Sequence, residues 1–138
     1  MKLLGIDYGS RRIGLAVSDE TGTMALPLEQ LDAEPRAKAC ERIAAVLKER
    51  GSGRIVVGLP RNMDGSYGPA AEAVRDFIAA LRTVAATDIV EWDERLSTAA
   101  AERMMVEADY SRKRRRAQRD ALAAQLILQN YLDAHPEQ

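Results

Sequence analysis

The sequence predicts an α/β fold in which one mixed five-stranded sheet carries helices on both faces. Three observations predict it. Apolar, β-branched runs at residues 3–8 and 54–59 have the length of strands and are too short for helices. Turn residues at Gly9-Ser10 and Thr21-Gly22 divide the first 28 residues into three successive strands. Beyond residue 34, stretches with helical spacing alternate with strands, the pattern of parallel crossovers that cover both faces of a sheet.

The elements follow in order. Leu3-Leu4-Gly5-Ile6-Asp7-Tyr8 reads as a buried strand, and residues 13–17 read as its antiparallel partner across the Gly9-Ser10-Arg11 turn. A third strand is expected over 23–28, where Pro27 confines it to an edge or cuts it short. Residues 34–50 bring Cys40, Ile43, Ala44 and Leu47 to one helical face, and Gly51 ends that helix. The strand at 54–59 stops at Pro60. A polar loop over 61–67 leads to Gly68-Pro69, a helix start with proline in the first turn. Ala70, Ala73, Val74, Phe77, Ile78 and Leu81 then form an amphipathic stripe. A short strand at 88–92, a helix at 97–108 and a last helix from about 117 to 134 complete the order β-β-β-α-β-α-β-α-α.

With 138 residues, 46% hydrophobic and 30% charged, the chain has the size and mixture of one globular domain spanning residues 1–138. No apolar run approaches the roughly 18–20 residues that span a bilayer, so no membrane partner is expected. An acid, Asp7, arrives before any signal-peptide core could form. One cysteine, Cys40, and one histidine, His135, supply neither an internal disulfide nor a zinc site. A reducing, cytoplasmic location fits.

The overall net charge of -1 argues against nucleic acid until the placement of charge is considered. Arg112, Lys113, Arg114, Arg115, Arg116 and Arg119 put six cations and no acid into eight residues, which leaves -7 on the rest of the chain. Phosphate backbones are the usual partner of so dense a block, and a solvated helix face or a mobile loop is the ordinary alternative. Only Tyr110 adjoins it among aromatics, which favours backbone contact over base stacking.

Three acidic sites stand where a purely structural design would avoid charge. Asp7 lies near the end of the first strand among Gly5, Gly9 and Gly14, and Asp93-Glu94 ends the strand at 88–92. Asp120 opens the last helix and continues the stripe of Ala124, Ile127, Leu128 and Tyr131 at offsets of 4, 7, 8 and 11. Each has an ordinary reading as turn cap, ion pair or helix-dipole partner. Converging acids would repel one another without a cation. Hard carboxylate oxygens suit Mg²⁺ or Mn²⁺, with substrate phosphate completing the shell.

Gly5-Ile6-Asp7-Tyr8-Gly9-Ser10-Arg11-Arg12-Ile13-Gly14-Leu15-Ala16 resembles the opening motif of the YqgF family of pre-16S rRNA nucleases and Holliday junction resolvases. Gly58-Leu59-Pro60-Arg61-Asn62-Met63-Asp64-Gly65-Ser66, Asp93-Glu94-Arg95-Leu96-Ser97-Thr98 and Asp120-Ala121-Leu122-Ala123-Ala124 resemble the family's later motifs, in order. The resemblance implies a ribonuclease H-like fold and an acidic triad of Asp7, Glu94 and Asp120, with Asp93 an adjacent candidate ligand. In many relatives of that fold the second acid lies on the strand matching residues 54–59, and here that strand carries none.

The expected activity is metal-dependent hydrolysis of phosphodiesters in structured RNA such as pre-rRNA, or in branched DNA. No histidine stands in a credible place to act as base, so the metal must activate water. Arg11, Arg12, Arg61, Asn62 and Arg95 are candidate phosphate contacts beside the acids. Arg11 and Arg12 are equally readable as hairpin charges, Arg95 as a partner of Glu94, and Asp64-Gly65 as turn chemistry. A monomer and a homodimer are both compatible with the sequence. Two other classes stay open. The Gly5–Gly14 hairpin also resembles the phosphate motif of actin-like ATPases, which need two such domains. A non-catalytic nucleic-acid-binding protein of ribosome assembly or transcription would bind without acids or metal.

Overall fold

A computed structural model describes residues 1–62, 64–94 and 112–136, with the side chains of Glu94 and of residues 112–118 outside the description. Its strands are β1 (Leu3–Tyr8), β2 (Arg12–Ser18), β3 (Ala25–Asp32), β4 (Arg54–Pro60) and β5 (Asp88–Glu94). Its helices are α1 (Arg36–Arg50), α2 (Pro69–Arg82) and α3 (Arg112–Ala134). The sheet runs β3-β2-β1-β4-β5. β1, β2 and β3 form an antiparallel meander, and β4 and β5 run parallel to β1. The carboxyl ends of β1, β4 and β5 therefore share one edge.

Alternation along the strands separates two cores. Leu4, Ile6, Ile13, Leu15, Ile55 and Val57 pack against α1 and α2. Leu3, Ala16, Val56, Val90 and Trp92 pack against Ala124, Ile127, Leu128 and Tyr131 of α3. Helices thus cover both faces, as the element order predicts. No described helix is long and apolar enough to cross a membrane.

β3 extends to Asp32, four residues past the expected end, because residues 29–32 pair with Leu15 through Arg12. A register shift at Leu15/Ala16 accommodates Pro27, and the strand lies at the edge as proline requires. α1 starts at Arg36 rather than 34 because Pro35 is its extended N-cap, and Gly51 at φ 63° ends it in the left-handed conformation. The buried stripe of α2 is Ala71, Val74, Phe77, Ile78 and Leu81, with Ala70 and Ala73 exposed. Phe77 fixes that phase by stacking on Tyr8 at 4.5 Å.

Two corrections bear on the site. β5 continues through Asp93 and Glu94, which pair with Leu59 and Pro60. The last helix starts at Arg112, so the basic run lies within the helix and Asp120 lies in its third turn instead of opening it. Arginine and lysine are good helix formers, and no glycine or proline interrupts residues 112–134. The reading of Asp120 as a partner of first-turn amides is thereby removed. The expected helix at 97–108 lies outside the described residues.

Candidate active site

Three residues stand side by side across the sheet: Asp7 of β1 opposite Gly14 of β2, and Gly14 opposite Gln30 of β3. Glycine at the middle position lets α3 descend onto the sheet. A Cβ built on Gly14 would lie 1.8 Å from the backbone oxygen of Asp120. The close approach brings the Asp120 carboxylate to Asp7. Asp7 is half-buried, and its carboxyl is pushed up to about 6, first by burial and then by the negative charge of Asp120.

Asp120 has two further partners. Arg12 Nε donates to its Oδ2 at 3.1 Å. The Arg12 side chain is 59% exposed, so this pair is held in a solvated setting and is weak. Gln30 Oε1 accepts from the Asp120 backbone N–H at 2.9 Å and from that of Ala121 at 3.4 Å.

Glu94 ends β5 opposite Pro60, on the same edge of the sheet as Asp7. It takes the next position in the alternation of Val90 and Trp92, both of which pack on the α3 side. Ile6 pairs with Val57, which sets Asp7 level with Gly58 on the intervening β4. Glycine leaves no side chain at that place. Among the described side chains no group of three or more His, Cys, Asp or Glu converges; Asp7 and Asp120 form the described pair.

Asp93 belongs to the other face. Its partner Leu59 packs in the α1–α2 core. Its Oδ2 accepts from Arg61 Nη1 at 2.7 Å, and its Oδ1 from the Tyr67 hydroxyl at 2.6 Å. Arg61 also donates to the Gly65 carbonyl at 2.7 Å, and the guanidinium groups of Arg61 and Arg75 lie 5.4 and 5.1 Å from the centre of the Tyr67 ring. Asn62 donates to Ser66 Oγ, while Asp64 accepts from the backbone and hydroxyl of Ser66. The 61–67 loop is thus fastened internally and to Asp93, and the turn reading of Asp64 describes it.

The sequence-derived residues therefore divide. Asp7, Asp120 and Arg12 come together, and Arg11 is exposed at the adjoining β1–β2 turn. Arg61, Asn62 and Asp93 form a separate group behind the sheet. Arg119 is half-buried on α3. Arg95 lies outside the described residues, as do the side chains of Glu94, Arg112, Lys113, Arg114, Arg115 and Arg116. Gln30 and Tyr67 were not anticipated from sequence: a glutamine in a polar edge strand and a tyrosine in a polar loop carry no local signal.

Comparison with known proteins bears on the fold and the family. Two solved structures share the fold over almost their whole length. One is the fowlpox virus resolvase with its Holliday junction DNA substrate, at TM-score 0.64 and 11% identity, covering 97% of this chain and 98% of that one. The other is the Thermus thermophilus RuvC complex with a Holliday junction, at TM-score 0.59 and 19% identity, covering 99% and 96%. The fold is accordingly ribonuclease H-like. A protein of Geobacillus thermodenitrificans named "Putative pre-16S rRNA nuclease" is 50% identical over 136 residues, covering 97% of this chain and 99% of that one. One of the same name from Halalkalibacterium halodurans is also 50% identical over 136 residues, covering 96% of each. The model of the RuvX family, described as Holliday junction resolvase, matches residues 1–134, and with these relatives it shows that the chain belongs to the RuvX (YqgF) family.

Proposed function

We propose that this chain is a metal-dependent nuclease that hydrolyses phosphodiester bonds, with pre-16S rRNA, at its 5′ end, as the substrate. The observation that carries this reading is the pairing of Asp7 with Asp120, where burial and the neighbouring Asp120 charge both oppose ionisation of Asp7. A divalent cation relieves that repulsion, and two hard anionic oxygens are the donors that Mg²⁺ or Mn²⁺ takes. Asp7, Asp120 and Glu94 would hold the ion. Such an ion, when bound, lowers the pKa of water and stabilises charge at the scissile phosphate. The relatives' name favours rRNA.

The chain's own groups prepare the site. Asp7, at about 6, is predominantly a carboxylate at pH 7 and is therefore a ready ligand. Arg12 neutralises part of the charge on Asp120 and, being exposed, can turn to a phosphate oxygen instead. Arg112, Lys113, Arg114, Arg115, Arg116 and Arg119 precede Asp120 on the same helix. A strand of phosphates gripped by them leads to the acid pair.

Branched DNA is the second reading, favoured by the description of the family. Cutting a junction symmetrically needs two copies about a two-fold axis. The test is cleavage of a labelled panel (rRNA precursor, single-stranded RNA, duplex DNA and four-way junction) with Mg²⁺ or Mn²⁺. The rRNA precursor is expected to be cut. Exclusive cutting of the junction, by a dimer, would replace the rRNA reading, and no cutting of any member would leave a binding protein.

The basic run sets a second expectation. Six phosphate contacts imply a fall in affinity of about a thousandfold between 50 and 200 mM salt. Arg114→Ala combined with Arg115→Ala should reduce the slope of log affinity against log salt by roughly 2 for a duplex. A slope near zero in the parent, measured by fluorescence anisotropy in EDTA, would remove the electrostatic grip.

A further inference from the structure

We propose that Gln30 is a positioning residue that sets Asp120 beside Asp7 for metal binding, an inference that rests on the acid pair being a metal site. The α3 helix is fastened to the edge strand β3 by three glutamines. Far from the site, Gln129 Oε1 accepts from the Ala25 backbone N–H at 2.9 Å and its Nε2 donates to the Thr23 carbonyl at 3.0 Å. Gln125 Nε2 donates to the Ala25 carbonyl at 2.9 Å. Gln30 makes the corresponding contact at the site, in the opposite sense: the strand supplies the side chain and the helix supplies backbone.

That difference matters for Asp120. An N–H in the body of an α-helix ordinarily points to the carbonyl four residues earlier. The N–H groups of Asp120 and Ala121 also meet Gln30 Oε1, which ties this turn of the helix to β3. The contact acts on the backbone of the acid itself, and therefore fixes both the height and the rotation of its Cα–Cβ bond. Gly14, between Gln30 and Asp7, removes the side chain that would hold the helix off. Gln30 pulls the helix down where Gly14 makes room, and Asp120 is delivered to Asp7. Outer groups that orient a metal ligand are commonly worth ten- to a hundredfold in metal affinity.

The probe is Mn²⁺ alone, titrated by calorimetry into the full chain without nucleic acid. Gln30→Met keeps the length of the side chain and removes its carbonyl. It should weaken Mn²⁺ binding about tenfold and speed hydrogen exchange at the Asp120 and Ala121 amides above their neighbours. Gln30→Asn, which retracts the carbonyl by one methylene, should shift both in the same direction and serves if the methionine variant does not fold. Gln129→Met removes the distant fastening. It should lower the melting temperature while leaving Mn²⁺ affinity within twofold of the parent.

Parent-like affinity and exchange in Gln30→Met would overturn the inference, as would equal losses of affinity in the Gln30 and Gln129 variants. Asp120→Asn separates this failure from that of the metal site itself. If Asp120→Asn and the parent bind Mn²⁺ equally, or neither binds it, the metal reading fails and the role of Gln30 falls with it.

Discussion

Asp7→Asn is expected to raise the melting temperature of the metal-free protein at pH 7 and to abolish its metal-dependent cleavage. The two effects have one cause. Asp7 is held near 6 from an ordinary value of 3.8 because burial and Asp120 both oppose its charge. The sign follows from proton binding. Between about pH 4 and 6 the folded protein retains a proton on Asp7 that the unfolded chain has released. Stability attributable to this group is therefore fully present below pH 4, falls as pH rises to 6, and stays low above it. The cost of the ionised carboxylate at pH 7 is about 2–3 kcal/mol. Asparagine carries no charge and should recover most of it, roughly 5–10 °C in a chain of this size.

Added Mn²⁺ should invert the order. The parent gains stability by binding the ion in its folded state, and the asparagine variant gains much less. Differential scanning calorimetry at pH 4, 5, 6 and 7, in EDTA and in Mn²⁺, checks the whole pattern. An asparagine variant that melts at or below the parent at pH 7 in EDTA would show that Asp7 is not destabilised by its setting. Retained Mg²⁺-dependent cleavage would remove Asp7 from the site. A carboxylate kept where it weakens the fold is what a functional site looks like in stability terms.

The parts of the molecule that burial alone decides were legible in the sequence. β1 and β4 are runs of apolar residues flanked by turn residues or proline, and their positions agree with expectation to within a residue. The offsets joining Asp120 to Ala124, Ile127, Leu128 and Tyr131 correctly set Asp120 on the face of α3 that meets the sheet. The second half of β3 carries little strand signal because Glu29, Gln30 and Asp32 are polar, with Leu31 packed against the core between them. α3 starts five residues ahead of the expected 117 because the five consecutive cations at 112–116 carry no apolar periodicity, although each is a good helix former. Asp93 and Glu94, adjacent in sequence, occupy alternate positions of β5, and the pairing of Asp93 with Arg61 joins residues 32 apart. The bond from Asp120 to Gln30 joins residues 90 apart. Neighbours this distant leave no trace in local pattern.

Gly14→Ala is the substitution expected to do most damage for its size. One methyl group would lie 1.8 Å from the Asp120 oxygen, 2.2 Å from its carbonyl carbon and 2.8 Å from the Ala121 nitrogen. All three are backbone atoms of a helix, so no side chain can rotate away. The helix must rise by more than an ångström at Asp120, or β2 must bend. Overpacking of this kind costs about 1–3 kcal/mol and occasionally more, and the upper end applies where backbone meets backbone. The same movement lengthens the contacts that gather the site: Gln30 loses its two amides, Arg12 loses its carboxylate, and Asp120 leaves Asp7. Relief of the charge on Asp7 should then appear as a weaker rise in its pKa, followed by carboxylate NMR in the metal-free protein. Mn²⁺ affinity and cleavage should both fall at least tenfold. Gly5→Ala supplies the comparison, since its methyl group would meet the Leu128 side chain at 2.7 Å, two turns along the same helix. It should cost comparable stability with a smaller loss of Mn²⁺ affinity. Equal losses in the two variants would mean that α3 transmits any displacement as a rigid rod, and parent-like Mn²⁺ affinity in Gly14→Ala would show that the close approach at Gly14 does not hold the acid pair together.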